Sequence, residues 1–250
     1  MLFKELLISE KKSVIHTLDP RVKIIVSIIY IILSIIVNSV LSHLIIIILF
    51  LVESVLAKSV KAMMKSLTTV FPFFILIFLA NYFLGGLSLS LSLVYSLRLL
   101  SLVAIFSLFF LTTTPDEVAE TLDFFRVPHT IALSFTLAIR FIPSTARQIS
   151  EIMDAQKSRG LELEGRNFIQ RIRNLLPILV PVIVLSIKKS IEVAEALEVR
   201  GLNLNVKKTT LTPLKARKVD YLYFIGHFLL LILILYLDHL KISLFTFTIF

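Results

Sequence analysis

The chain contains no cysteine, which removes disulfides, thiolate catalysis and cysteine metal sites together. It contains no tryptophan, so the usual interfacial belt is a weak guide, and aromatic content rests on 20 Phe and 6 Tyr. Histidine is sparse: His16, His43, His129, His227 and His239, no two of them at an HExxH or other recognised ligand spacing. The residues after Met1 are charged and amphipathic rather than a short apolar core with a cleavage site, so no signal peptide is expected. No metal or cofactor is implied. What the chain has in abundance is apolar residues, 57% of 250, with a mean hydropathy of +0.92. A soluble domain of this length keeps far more polar residues, and the composition places the chain in a membrane.

Apolar residues run almost unbroken from Ile24 to Ala57. As one helix that run would reach on the order of 50 Å, well beyond a hydrocarbon core of ~30 Å. The polar interruption from Asn38-Ser39 to Ser42-His43 therefore divides it into a hairpin of two spans, 22–38 and 42–57. A third span is expected from Val70 to Leu84, ending at the turn-favouring pair Gly85-Gly86. A fourth runs from Leu93 to Thr113 and stops at Pro115, and a fifth from Tyr221 to Leu240. These boundaries divide the chain into residues 1–114 with spans one to four, a charged region 115–220, and a last span in 221–250.

Basic residues set the expected orientation. Five precede span one (Lys4, Lys11, Lys12, Arg21 and Lys23), three lie between spans two and three (Lys58, Lys61 and Lys65), and sixteen fall between Arg126 and Lys218. The opposite loops, 38–43 and 85–92, carry none. Because loops rich in Lys and Arg stay in the cytoplasm, the N-terminus is expected inside and the C-terminus outside the cell membrane. The net charge of +9 follows from this placement and does not point to nucleic acid.

Apolar patches in the 115–220 region, Thr130–Ile139 and Leu175–Ile187, are too short to span and are interrupted by Pro143, Pro177 and Pro181. Outside them, Ile142, Ala146, Ile149 and Met153, and again Ile187, Ile191, Ala194 and Leu197, recur at helical spacing. Such helices present an apolar side to an interface or a partner and a charged side to water or protein. Each then ends in the same way. "EIMDAQKSRGLEL" (151–163) and "EVAEALEVRGLNL" (192–204) share six identical positions. In each copy Glu, Ala and Arg stand at i, i+4 and i+8 on one helical stripe: Glu151, Ala155, Arg159 and Glu192, Ala196, Arg200. Gly160 and Gly201 follow where a left-handed residue closes a helix. For one copy, an Arg opposing the helix dipole and a Gly stop suffice as explanation. Two copies in one segment point to a duplicated plug: Ala lets another backbone approach, and Arg offers a rigid five-donor fork to carboxylates or carbonyls.

Four segments in order then carry a family likeness: "LDPRVKI" (Leu18 to Ile24), "TTTPDEVAETLDFFRVP" (Thr112 to Pro128), "AIRFIPSTARQISEIMDAQKSRG" (Ala138 to Gly160) and "LLPILVPVIVLSIKKSIEVAEALEVRG" (Leu175 to Gly201). The chain resembles the transmembrane T component of energy-coupling factor transporters, ABC-type systems that include the membrane subunits of cobalt and nickel uptake. The resemblance implies an all-α polytopic membrane protein of about five transmembrane helices, with cytoplasmic amphipathic coupling helices in an L-shaped arrangement. It implies a non-catalytic permease scaffold joining two cytoplasmic ABC-type ATPase subunits to one substrate-binding membrane subunit for vitamin, cobalt or nickel uptake. Carried over, Ala155, Arg159, Gly160, Ala196, Arg200 and Gly201 are the tips seated in the two ATPases, and the apolar sides of 129–155 and 175–197 bear on the substrate subunit.

A standalone secondary transporter or channel is the alternative, but it usually needs mid-membrane ionisable residues and a two-fold hydropathy repeat. An intramembrane enzyme lacks support, with no Ser/His pair within a span, carboxylate dyad or metal-spaced His cluster. Arg98 and Glu53 are expected to snorkel to the membrane surface, and His227 and Asp238 to be interfacial. Asp19-Pro20 is expected to start the first helix, with Asp19 as cap.

Overall fold

The computed structural model describes residues 13, 15–125, 127–161, 168–201 and 217–247. Lys4, Lys11, Lys12, Arg126, Arg166, Lys207, Lys208 and Lys215 of the basic count, and Leu163, Leu202 and Leu204 of the repeated ending, lie outside them. The described residues form helices and no strand: the protein is an all-α membrane protein. Its helices are α1 (Pro20–Ile36), α2 (Val40–Leu56), α3 (Val60–Leu79, prolonged by a π-helical turn Ala80–Leu84), α4 (Leu89–Thr112), α5 (Pro115–Phe124), α6 (His129–Ser158), α7 (Phe168–Val199) and α8 (Lys218–Phe247).

Five of these coincide with the expected spans. Val60–Leu84, Leu89–Thr112 and Lys218–Leu240 are long and apolar enough to cross a membrane. α1 and α2 have 17 residues each, the lower end of what spans a bilayer. The boundaries shift for local reasons. Asp19 accepts a hydrogen bond from the Arg21 N–H at 2.9 Å and Pro20 opens the helix, so α1 begins at residue 20 as a capped, proline-started helix. Ser39 caps α2, which brings Val40 and Leu41 into the helix. The largest shift is in α3, which begins at Val60, ten residues before the expected span. Lys61 and Lys65 are thus helical rather than in a loop, because Ala62, Met63, Met64 and the lysines are good helix formers.

Helix α5 was not foreseen. Thr114 Oγ1 accepts from the Glu117 N–H at 3.2 Å, and the Glu117 carboxylate accepts from the Thr114 N–H at 2.9 Å. With Pro115 between them this is a capping box, a signal present in the sequence as Thr-Pro-Asp-Glu. α6 and α7 also differ from expectation: neither is interrupted by its prolines, and each is continuous, at 30 and 32 residues.

Packing divides the chain into two compact units. In the larger, α4 packs against α1, α2 and α3, while α8 packs against α1 and α2. Tyr30, Phe50, Ile46, Met63, Ile105 and Ile234 fill its centre, with the Tyr30 and Phe50 rings edge to face at 5.4 Å. Between lipid-like side chains apolar burial gives little net drive, and small or hydrogen-bonding residues hold helices together instead. Accordingly Ser34, Ser42, Ser92, Ser96 and Ser101 are fully buried, and Ser34 Oγ meets Ser101 Oγ at 2.7 Å across α1 and α4.

At one end of this unit, polar groups tie three helix ends. Asp220 accepts from the Arg217 N–H at the start of α8 and from the Asp19 N–H at the start of α1, at 2.6 and 2.9 Å. Lys23 Nζ donates to the Thr112 carbonyl at the end of α4 at 2.9 Å and to the His16 carbonyl at 3.2 Å. His16 completes the contact: its Nε2 lies 3.2 Å from the Leu111 carbonyl and its Nδ1 2.7 Å from Ser13 Oγ.

Glu53, His227 and Arg98 are paired rather than snorkelling. His227 Nε2 on α8 lies 2.6 Å from Glu53 Oε1 on α2, both side chains under 10% exposed. The Tyr223 hydroxyl donates to Glu53 Oε2 at 3.2 Å, and the Tyr30 hydroxyl donates to the His227 carbonyl at 3.2 Å. Arg98 donates to the Val37 carbonyl and to Asn38 Oδ1, at 3.1 and 3.0 Å, and so closes the α1–α2 turn.

Candidate functional site

The smaller unit, residues 122–211, carries both repeated endings. At the first, the Gly160 N–H donates to the Lys157 carbonyl at 2.9 Å and the Leu161 N–H to the Gln156 carbonyl at 3.1 Å. That pair of bonds, with Gly160 at φ +86°, is a Schellman stop. At the second, the Gly201 N–H donates to the Glu198 carbonyl at 2.9 Å with Gly201 at φ +72°. Nothing lies within 4 Å of where a Cβ on either glycine would stand, so glycine is required by the backbone twist and not by crowding. Both endings thus share a left-handed glycine whose N–H reaches the carbonyl three residues back.

Ala155, Arg159, Gly160, Ala196, Arg200 and Gly201 are all exposed. Neither guanidinium has a partner among the described residues. Each tip thus presents a small residue and, one turn on, a free planar cation with its donors unspent.

How the tips are held follows from α6 against α7. Gln156 Nε2 donates to the Pro177 carbonyl at 3.1 Å, and Lys189 Nζ donates to Ser144 Oγ at 2.7 Å. Lys189 also lies over the Phe141 ring, 4.8 Å from its centre. From the first bond to the second, α6 retreats by as many residues as α7 advances, so the two helices run antiparallel side by side. In that register the C-terminal ends of α6 and α7 point in opposite directions, separated by roughly 40 Å of helix path at ~1.5 Å per residue. The six tip residues therefore form two separate contact points and not one cluster.

Sequence reasoning did not find Gln156 or Lys189 as the residues joining the pair. α7 is not among the described helices long and apolar enough to cross a membrane. Other polar contacts offer little chemistry. His43 Nδ1 lies 3.2 Å from Ser101 Oγ, a Ser/His contact that no sequence spacing announced. Both residues are fully buried, and the Ser101 hydroxyl already reaches its own helix at the Arg98 carbonyl, 2.9 Å away. Among the described residues no carboxylate orients the imidazole, whose Nε2 has no partner there, so no nucleophile–base–orienter arrangement is formed by them. Among the described residues no three metal-ligating side chains converge.

Residues 11–211 match the model of a family described as CbiQ, cobalt transport protein. The energy-coupling factor transporter transmembrane protein EcfT of Clostridium kluyveri is 33% identical over 235 residues, covering 84% of this chain and 87% of that protein. The chain belongs to this family. The EcfT protein of Staphylococcus aureus is also 33% identical, covering 81% of this chain and 85% of its own length. That of Macrococcus caseolyticus is 28% identical over 91% of this chain and 95% of its own length. The likeness thus reaches beyond the motifs, across most of the membrane helices, and identifies the chain as a transmembrane component of the energy-coupling factor class.

Proposed function

We propose that this protein is the non-catalytic scaffold of an energy-coupling factor importer, in which Ala155-Arg159-Gly160 and Ala196-Arg200-Gly201 seat in two ABC-type ATPase subunits. The observation that carries the proposal is the pair of exposed helix ends, each closed by a left-handed glycine, one at each end of an antiparallel helix pair. Two soluble subunits side by side need two separated points of grip, and a single cluster would serve only one. In this account residues 1–114 and 221–250 carry the transmembrane helices, and 115–220 is the coupling region. The N-terminus and both tips are cytoplasmic and the C-terminus is outside. A separate membrane subunit binds the vitamin or transition-metal ion and rests on the apolar sides of α6 and α7. ATP-driven closure of the ATPases moves the tips, and the helix pair passes that motion to the substrate subunit.

Arginine suits this task because a forked, permanently charged group keeps its bonds while its socket moves, whereas lysine supplies a point charge. Removing one partner of a desolvated charge pair costs on the order of 2–5 kcal/mol. The complex is therefore purified with Arg159→Ala, Arg200→Ala and both together. Each single variant is expected to retain ATPases weakly and the double variant to lose them. Full ATPase recovery with the double variant refutes the grip.

A further inference from the structure

Proline at 181 has no N–H, so the carbonyl four residues earlier, that of Pro177, loses its donor within α7. The proline ring also crowds that carbonyl and turns it away from the helix axis. It is this carbonyl, and no ordinary helical one, that Gln156 Nε2 reaches from α6 at 3.1 Å. Gln156 stands one residue after Ala155 and three before Arg159, inside the turn that the Schellman bonds close. Its own carbonyl accepts from the Leu161 N–H at 3.1 Å, so the residue is fixed at both backbone and side chain.

We infer that Gln156 is a positioning residue: it supplies the donor that Pro181 removes, and so pins the α6 tip to α7 during the ATP cycle. The inference rests on the two-tip reading above. The Lys189–Ser144 contact lies roughly 18 Å further along the helices. Without the Gln156 bond the tip could swing about that contact, and motion imposed at Arg159 would be spent in the hinge instead of moving α7. A carboxylate at 156 cannot donate to the carbonyl, and an apolar side chain of equal length cannot either.

The chain has no native cysteine, so spin labels attached at Asp154→Cys and Leu179→Cys before the chain is joined to its partners report the pairing. Distances are measured in the assembled complex with and without ATP and vanadate. Wild type is expected to hold one short distance in both states. Gln156→Met and Gln156→Glu are expected to lower the close-paired population roughly fivefold, the effect of losing one hydrogen bond. Pro181→Ala returns an N–H to α7, so adding Gln156→Met to it is expected to change nothing further, a non-additivity that loss of folding does not produce. An unchanged distance in Gln156→Met, or an equal loss with and without Pro181→Ala, overturns the inference. An ordered 154–179 pair in a chain that recruits no ATPase refutes the two-tip reading while leaving the hydrogen bond intact.

Discussion

Single residues decide how the bundle end near His16 responds to acid. Burial of its ring holds the His16 imidazolium below the ordinary histidine range, and repulsion from the Lys23 ammonium adds to this against the favourable Leu111 carbonyl. The neutral ring suits its neighbours: Nε2–H donates to Leu111 while Nδ1 accepts from Ser13. Because the folded value lies below the unfolded one, this contribution is complete above about pH 6.5 and is lost as pH falls through the folded value. Thermal unfolding in detergent is expected to show lower stability in acid than at neutral pH. His16→Gln keeps a donor and an acceptor without titrating, and is expected to flatten that slope. An acid slope unchanged in His16→Gln places the titration elsewhere.

At the scale of elements, α8 is joined to α2 by a pair separated by more than half the chain. Glu53 and His227 meet where neither can reach water, and breaking such a pair by removing one member costs about 3–5 kcal/mol. Glu53→Ala is expected to lower the unfolding midpoint clearly, and Glu53→Gln, which keeps an acceptor for the Tyr223 hydroxyl, to lower it less. Equal midpoints for Glu53→Ala and wild type would remove the pair from the account of the bundle. The pair also marks what one-dimensional reading reaches. Spans were legible because apolar runs and their polar breaks are local, and Asp19, Ser39 and Ser88 cap helices with signals a few residues long. Glu53, taken alone, has the look of a side chain near a membrane surface; only the packing of α8 gives it a partner. The start of α3 was obscured for a different reason: Lys61 and Lys65 lower local hydropathy without interrupting the helix. Thr114 and Glu117 did announce α5, through a box that hydropathy does not weigh.

For the whole molecule, the repeated ending was legible as a motif and its separation was not. Residue spacing places Glu151, Ala155 and Arg159 on one stripe, but the antiparallel run of α6 and α7 comes from Gln156–Pro177 and Lys189–Ser144, contacts without any sequence periodicity. If the tips grip ATPases as proposed, that arrangement makes a specific demand on the assembled transporter: each tip has its own ATPase. Cysteines introduced at Lys157 and Glu198, beside but not within the gripping residues, can be cross-linked together to ATPase subunits in the native membrane. The account predicts one species in which a single chain carries two ATPase subunits, one from each tip. Cross-linking of both positions to one and the same ATPase subunit, or of neither position to any, would contradict it.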